Sequence, residues 1–169
     1  MQNDQSKLLP MLERRRIEAG ILKHVFETLK ASHGRSVAEQ TVANAVKASS
    51  IEQAQAMAAE VGGQTSMQTF VDRQTQWTAG GALEVEVHEQ SDRNYRFDVV
   101  RCRYSEMYRE MGLGDIGHLL SCQRDGTFCE GYDPRLKLTR TQTIMQGASH
   151  CDFDYRLEDD QTRATDENK

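Results

Sequence analysis

Cysteine is scarce in this sequence, and its four cysteines are scattered over positions 102 to 151. Small secreted domains that rely on disulfides carry a denser framework, so the chain does not belong to that class. No CxxC pair occurs, and a set made of Cys122, Cys129, His118, His150 and Cys151 matches none of the common zinc spacings. A zinc site stays an open alternative for these residues, but we expect no metal and no other cofactor. The cysteines then serve as core residues or as nucleophiles.

Excess positive charge and long apolar runs are also missing. Lys and Arg number 21 against 26 Asp and Glu, which gives a formal net charge of −5. Without a basic block the chain offers little to a phosphate backbone, and we expect no nucleic-acid partner. No stretch approaches the roughly 20 apolar residues of a membrane span, and no signal peptide is evident. These features predict a cytoplasmic protein that does not bind membranes.

Proline is rare, with Pro10 and Pro134 as its two occurrences in 169 residues. The length suits one domain, which we assign to residues 1–157, followed by an acidic tail at 158–169 that lacks apolar anchors and is predicted to be disordered. The first part of the chain is rich in Ala, Glu, Gln, Lys and Leu, residues that favour helices. Three helices are predicted there, at about 8–29, 36–61 and 65–77.

The first predicted helix has an apolar side and a solvated side. Its apolar residues recur at helical spacing, which is typical of an amphipathic helix. The apolar side consists of Leu12, Ile17, Ile21, Leu22, Val25, Phe26 and Leu29, and the solvated side of Arg14, Arg15, Glu18 and Lys23.

Beyond Gly80 and Gly81 the apolar residues alternate, which predicts strands. One hairpin is expected from strands at about 83–87 and 95–99, and a second from 136–145 and 150–157. A helical interval at about 105–130 lies between them. The predicted class is α+β, with the N-terminal helices packed on an antiparallel sheet that is built from two hairpins flanking central helices.

Reactive side chains converge in the segment DIGHLLSCQRD, which covers residues 115–125. On a helix of 100° per residue, His118, Cys122 and Asp125 fall on one face. His118 can favour the thiolate form of Cys122, which is the nucleophilic form. Asp125 can orient the imidazole, activate a water, or hold a cationic amidine group. The same three residues can equally be packing or solvent-facing residues.

The two predicted strands of the second hairpin add further candidates. Arg140 lies among aliphatic neighbours and therefore needs an anion, which is either a protein carboxylate such as Asp125 or Asp152 or the carboxylate of a substrate. Cys151 is expected to be a core thiol, and Asp152 projects from the opposite face of its strand.

The segments VVRCRYSEMYREMGLGDIGHLLSCQRD and LTRTQTIMQGASHCDFDYRL resemble the L-2-amino-thiazoline-4-carboxylic acid hydrolase family. The resemblance implies hydrolytic opening of a cyclic isothiourea to an N-carbamoyl-cysteine. It places catalytic residues at Cys122 and Asp125 and substrate-binding residues at Arg140, Cys151 and Asp152. His118 is added to the catalytic set from its position alone. One departure is Asp154, where the family pattern leads us to expect a basic residue.

Two chemical routes fit these residues. Either the Cys122 thiolate attacks the ring carbon and water later releases the urea, or Asp125 activates water directly while Cys122 shapes the pocket. Arg140 would hold the ring carboxylate in both.

The alternative to a hydrolase is a non-catalytic domain that binds or senses a small molecule, and a third possibility is an assembly protein that acts through its long helices. The expected partner is a small-molecule substrate. The small residues of the helices also make a homo-oligomer possible.

Overall fold

The computed structural model describes residues 9–159. Five helices and four strands follow one another along the chain. They are α1 (Met11–His33), α2 (Arg35–Glu60), α3 (Met67–Thr78), β1 (Leu83–Gln90), β2 (Asn94–Cys102), α4 (Arg103–Glu110), α5 (Gln123–Tyr132), β3 (Leu136–Thr139) and β4 (Cys151–Leu157). A π-helical turn, His118–Cys122, runs directly into α5. The predicted α+β class is confirmed.

The sheet is antiparallel throughout and has the strand order β1-β2-β4-β3. Buried residues alternate along the central strands, so one face lies against the helices and the other faces solvent. Phe97 on β2 stacks on Phe153 of β4, with ring centroids 4.8 Å apart. Phe70 of α3 packs on Tyr155 of β4 at 4.7 Å. Helix α3 is thereby fixed over the inner face of the sheet.

The helical layer is built on the pair α1 and α2. Gly34 alone joins them, and its φ of 86° allows the chain to reverse within one residue. Helix α2 also packs closely on α5. At Gly131 an added Cβ would lie 2.4 Å from the carbonyl oxygen of Ile51, so only glycine allows this approach.

The first hairpin forms as predicted, with β1 and β2 joined around Ser91 and Asn94. The second differs, because β3 ends at Thr139 instead of near 145. The Asp152 carboxylate accepts hydrogen bonds from the backbone N–H groups of Thr141 and Gln142, at 3.0 and 2.8 Å. Beyond Thr139, these hydrogen bonds take the place of the backbone hydrogen bonds between β3 and β4. The chain then turns through a short 3₁₀ helix at Ile144–Gln146.

The predicted helical interval at 105–130 is broken in the structure. Helix α4 ends at Glu110, and Gly112 follows with a φ of 73° that ends the helical path. The chain becomes helical again at the π turn, which continues into α5.

The predicted faces of α1 are partly wrong. Ile17 and Ile21 are 61% and 67% exposed, whereas Arg15, expected on the solvated side, is 3% exposed. The sequence of a single helix shows which residues share a face, but not which face is buried. Here the buried face of α1 is the one that packs on α2 and α4.

Two other expectations concern the ends of the chain and the membrane. The predicted acidic tail falls largely on residues 160–169, which lie outside the described part. Glu158 of that tail is described, and its backbone N–H donates to the carbonyl of Arg135 at 2.9 Å.

Between residues 9 and 159 no helix combines the length and the hydropathy that crossing a bilayer requires.

Candidate active site

The π turn determines which side chains of the central segment face inward. In this turn the N–H of Gln123 donates to the carbonyl of His118, five residues earlier. A π turn inserts one extra residue into the helical path and is common at functional sites. The angular positions calculated at 100° per residue are therefore wrong across this turn, and His118 and Asp125 do not share the predicted face. The structure brings Cys122 and Asp125 to one cavity, and His118 does not line it.

The cavity has two parts that share several lining residues. The small chamber, with a volume of about 80 Å³, is bordered by Cys122, Asp125, Arg140 and Cys151, among others. The large chamber, of about 260 Å³, lies between α3 and the inner face of the sheet. Asp125 borders both chambers. A carboxyl group thus stands where the two spaces meet.

Arg140 is bound to Asp125 instead of being free for a ligand. Its Nη1 donates to Asp125 Oδ2 at 2.5 Å, and its Nη2 donates to the carbonyl of Cys122 at 2.9 Å. The guanidinium also lies over the ring of Phe153, 5.1 Å from the ring centre. Of the alternatives that the sequence left for Arg140, the structure shows the pair with Asp125.

The environment of Asp125 changes its acidity. Burial raises the pKa of the carboxyl above its ordinary value, while Arg140 acts against that change. The side chain is nevertheless 30% accessible, and because Asp125 lines both chambers this area faces the cavity. Burial lowers the pKa of Arg140, but Asp125 outweighs burial and raises the pKa overall. The result is a charged pair with one carboxyl oxygen, Oδ1, that has no partner among the described residues.

Three thiols border the small chamber. Burial raises the pKa of Cys102, and the thiols of Cys122 and Cys151 are likewise held in the neutral form. Burial raises the pKa of Cys122 to about 12, and the nearby charge of Asp125 adds to the effect. Burial raises the pKa of Cys151 to about 11. The sulfur of Cys151 accepts a hydrogen bond from the N–H of Ile144 at 3.2 Å. Neither environment populates a thiolate at neutral pH, since no imidazole borders this chamber in the described chain.

Asp152 supports the site without lining it. Burial raises its pKa, but hydrogen bonds from the Thr141 side chain and from the N–H groups of Gln142 and Thr141 outweigh burial, and the pKa falls below its ordinary value. The carboxylate fixes the segment that follows Arg140. Asp154 pairs with Arg156 at 2.9 Å and is not part of either chamber wall. Its departure from the family pattern therefore lies away from the cavity.

A family model for L-2-amino-thiazoline-4-carboxylic acid hydrolase matches residues 14–155, which is most of the chain. The chain belongs to this family. The match extends the resemblance, seen in the sequence from about residue 99 onward, to the helices α1 and α2. Among curated proteins the chain has no significant match.

Solved structures resemble this hydrolase-family chain at low sequence identity. The phenol-responsive sensory domain of the transcription activator PoxR, solved with phenol, has a TM-score of 0.52 and 10% identity, covering 85% of this chain and 74% of that chain. A trafficking protein particle complex subunit 3 from Naegleria fowleri, covalently bound to palmitic acid, has a TM-score of 0.47 and 10% identity, covering 86% and 96%. The likeness to PoxR shows a common fold and nothing more.

Two further residues of this family member border the cavity and were missed by sequence reasoning. Arg15 of α1 and Arg124 of α5 line both chambers and are buried. Both contact the carboxylate of Glu18. Arg15 lies one helical turn after the apolar residue Leu12, which is a sequence signal for an inward-facing position. An arginine in an amphipathic helix is normally solvated, so this signal alone did not predict burial.

Within residues 9–159 no group of three His, Cys, Asp or Glu side chains could hold a metal ion.

Proposed function

We propose that this protein is a hydrolase that opens a small cyclic isothiourea, of the 2-aminothiazoline-4-carboxylate kind, to an N-carbamoyl-cysteine-like product. The observation that carries the proposal is the Asp125 carboxyl, held by Arg140 where the two chambers of the cavity meet. Membership of the L-2-amino-thiazoline-4-carboxylic acid hydrolase family supports the reaction class.

Asp125 has the position and the acidity of a general base. Its Oδ2 is occupied by Arg140, so Oδ1 is available to accept a proton from a water molecule. Burial raises its pKa above the ordinary value, which makes its ionised form a stronger base. The same negative charge attracts the cationic amidine part of the ring. Arg140 acts as a positioning residue, because it fixes the carboxylate and keeps it ionised.

The reaction consumes one water molecule. Asp125 takes one proton from the water while the water oxygen forms a bond to the ring carbon that lies between sulfur and nitrogen. The electron pair of the carbon–nitrogen double bond moves to the ring nitrogen, which takes up that proton from Asp125. The carbon–sulfur bond then breaks with its electron pair on sulfur, the remaining hydroxyl proton passes through Asp125 to the sulfur, and the carbon becomes the carbonyl of a urea. No oxidant or reductant is needed, and the product carries a free thiol.

The route through a Cys122 thiolate has less support in the geometry. The Cys122 thiol has a pKa of about 12, and its burial is the main cause. His118, expected to activate the thiol, does not border the small chamber. We therefore assign Cys122 and Cys151 to the shape of the pocket and water to the attack.

The test is to incubate the purified protein with 2-aminothiazoline-4-carboxylate and to measure free thiol and ureido product together. The proposal expects both to appear in equal amounts, at a rate that depends on protein concentration. Hydantoins and simple amidines serve as comparison substrates. Absence of thiol release from 2-aminothiazoline-4-carboxylate would overturn the proposal. The comparison substrates hold no ring sulfur, so their hydrolysis is followed by the ring-opened product.

A non-catalytic binding domain is the second candidate, and the large chamber favours it. Seven aromatic side chains line its wall, including Phe70, Trp77, Phe97 and Phe128. Apolar pockets with a few polar groups suit ligand sensing as well as catalysis. The PoxR sensory domain, which shares the fold, was solved with phenol. Saturable binding of a ring compound without any product would favour this candidate over the hydrolase.

A further inference from the structure

Arg124 is a buried arginine whose hydrogen bonds are incomplete. Its Nε donates to the carbonyl of Leu120 at 3.2 Å, and its Nη2 donates to Glu18 Oε2 at 3.3 Å. Its Nη1 is buried and has no partner within the described part of the chain. The side chain is 9% accessible, yet the residue borders both chambers. Unpartnered buried donors are rare in native proteins and call for a specific explanation.

The charges around Arg124 leave a positive excess. Arg15, Arg124 and Arg140 border the small chamber, while Asp125 is the acidic residue of its wall. Glu18 stands behind them and is shared between Arg15 and Arg124. Three guanidinium groups are therefore balanced by two carboxylates. A buried unpaired charge is costly unless an anion accompanies it.

The lowered pKa of Arg124 agrees with this excess of positive charge. Burial lowers its pKa to about 10, and the neighbouring charge of Arg15 acts in the same direction. The group is still charged at neutral pH, but the protein compensates the charge incompletely. An anion beside Arg124 would remove the deficit.

We propose that Arg124 binds the anionic group of the ligand, and that this group is a carboxylate on a small planar ring. The inference rests on the proposed function for the identity of the ring. Arg140 is the less suitable partner, because both of its terminal nitrogens are already bonded to Asp125 and to Cys122. The neighbouring residues Arg124 and Asp125 then hold opposite ends of the ligand, the carboxylate and the amidine. Because Nη1 has almost no accessible surface, this binding requires the guanidinium to turn toward the cavity.

The test uses two probes of the same shape, benzoate and its neutral counterpart benzamide, with binding measured by titration calorimetry. Wild-type protein is expected to bind benzoate more tightly than benzamide. Arg124→Gln is expected to weaken benzoate binding by about tenfold or more and to leave benzamide binding unchanged, because a charge-assisted bond is lost. The control is Arg101→Gln, which removes an exposed arginine that pairs with Glu106.

A second variant is expected to change benzoate affinity in the opposite direction, so the inference can be tested even if Arg124→Gln does not fold. Glu18→Gln removes the carboxylate that Arg124 shares, at a position with 34% side-chain exposure. Benzoate binding is expected to tighten several-fold, while benzamide binding stays the same. Equal affinity of the wild type for both probes, or weaker benzoate binding in Glu18→Gln, would overturn the inference.

The two proposals fail separately. If the benzoate preference depends on Arg124 but no ring is hydrolysed, the anion site stands and the hydrolase proposal falls. If rings are hydrolysed while the wild type does not prefer benzoate, the hydrolase stands and the anion site at Arg124 falls.

Discussion

At the scale of single residues, the site depends on how burial and charge act on Asp125, Arg140 and Cys122. The sequence was enough to name these three residues as candidates and to predict that Arg140 needs an anion. The choice among its partners was not visible, since Asp125 and Asp152 were equally available. The structure gives Asp125 to Arg140 and uses Asp152 to hold the backbone at Thr141. The roles of these residues in a reaction stay predictions.

Replacement of the Cys122 thiol separates the two chemical routes. In Cys122→Ser, turnover is expected to remain within about tenfold of the wild type, because water activated by Asp125 performs the attack. Cys129→Ser is the matched control, since Cys129 is buried on α5, directly after the π turn that holds Cys122, but borders neither chamber. A loss of about a thousandfold in Cys122→Ser alone, measured by thiol-release kinetics, would identify the sulfur as the nucleophile.

Removal of the Arg140 charge is expected to change the pH dependence of turnover. Arg140 lowers the pKa of Asp125 against the effect of burial, so Arg140→Gln raises that pKa further. A base with a higher pKa becomes ionised only at higher pH, and the acid limb of the kcat/KM profile moves to higher pH. Arg156→Gln, on the exposed side of β4, is the control and is expected to leave the limb in place. An unmoved limb in Arg140→Gln would show that Asp125 is not the titrating base.

At the scale of elements, helix α5 carries part of the site, and its close approach to α2 depends on Gly131. Sequence patterns predicted the first hairpin and the three N-terminal helices, because period and turn residues are local properties. The π turn before α5 could not be predicted from the spacing of residues, because that spacing was interpreted on a regular α-helix and no residue type in the segment marks a π turn. The burial of Arg15 was also invisible, because it depends on contacts with Gln53 of α2 and with Glu18.

The two glycines of α5 give a matched pair of variants. Gly131→Ala would place a Cβ 2.4 Å from Ile51 O, so α2 and α5 must separate, at a cost of about 1–3 kcal/mol in the free energy of unfolding. Gly126→Ala meets nothing within 4 Å and is expected to stabilise the protein by up to about 1 kcal/mol through helix propensity. Urea denaturation measures both. Equal effects in the two variants would mean that the contact between α2 and α5 is looser than described.

At the scale of the whole molecule, an acidic protein contains a cavity whose wall has an excess of positive charge. The charged wall is assembled from α1, α5 and the segment after β3, which are far apart in sequence. No local pattern could show that Arg15, Arg124 and Arg140 meet, although two of the three lie in segments that the family resemblance covered. The expectations of a homo-oligomer and of a cytoplasmic location stay predictions.

The most direct test of the account is the rate of thiol release from 2-aminothiazoline-4-carboxylate by the wild type, Asp125→Asn and Asp154→Asn. The two variants lose the same charge, but only Asp125 borders the cavity. The account predicts a kcat at least about a hundredfold lower for Asp125→Asn and nearly unchanged for Asp154→Asn. A wild-type rate in a correctly folded Asp125→Asn variant would contradict it.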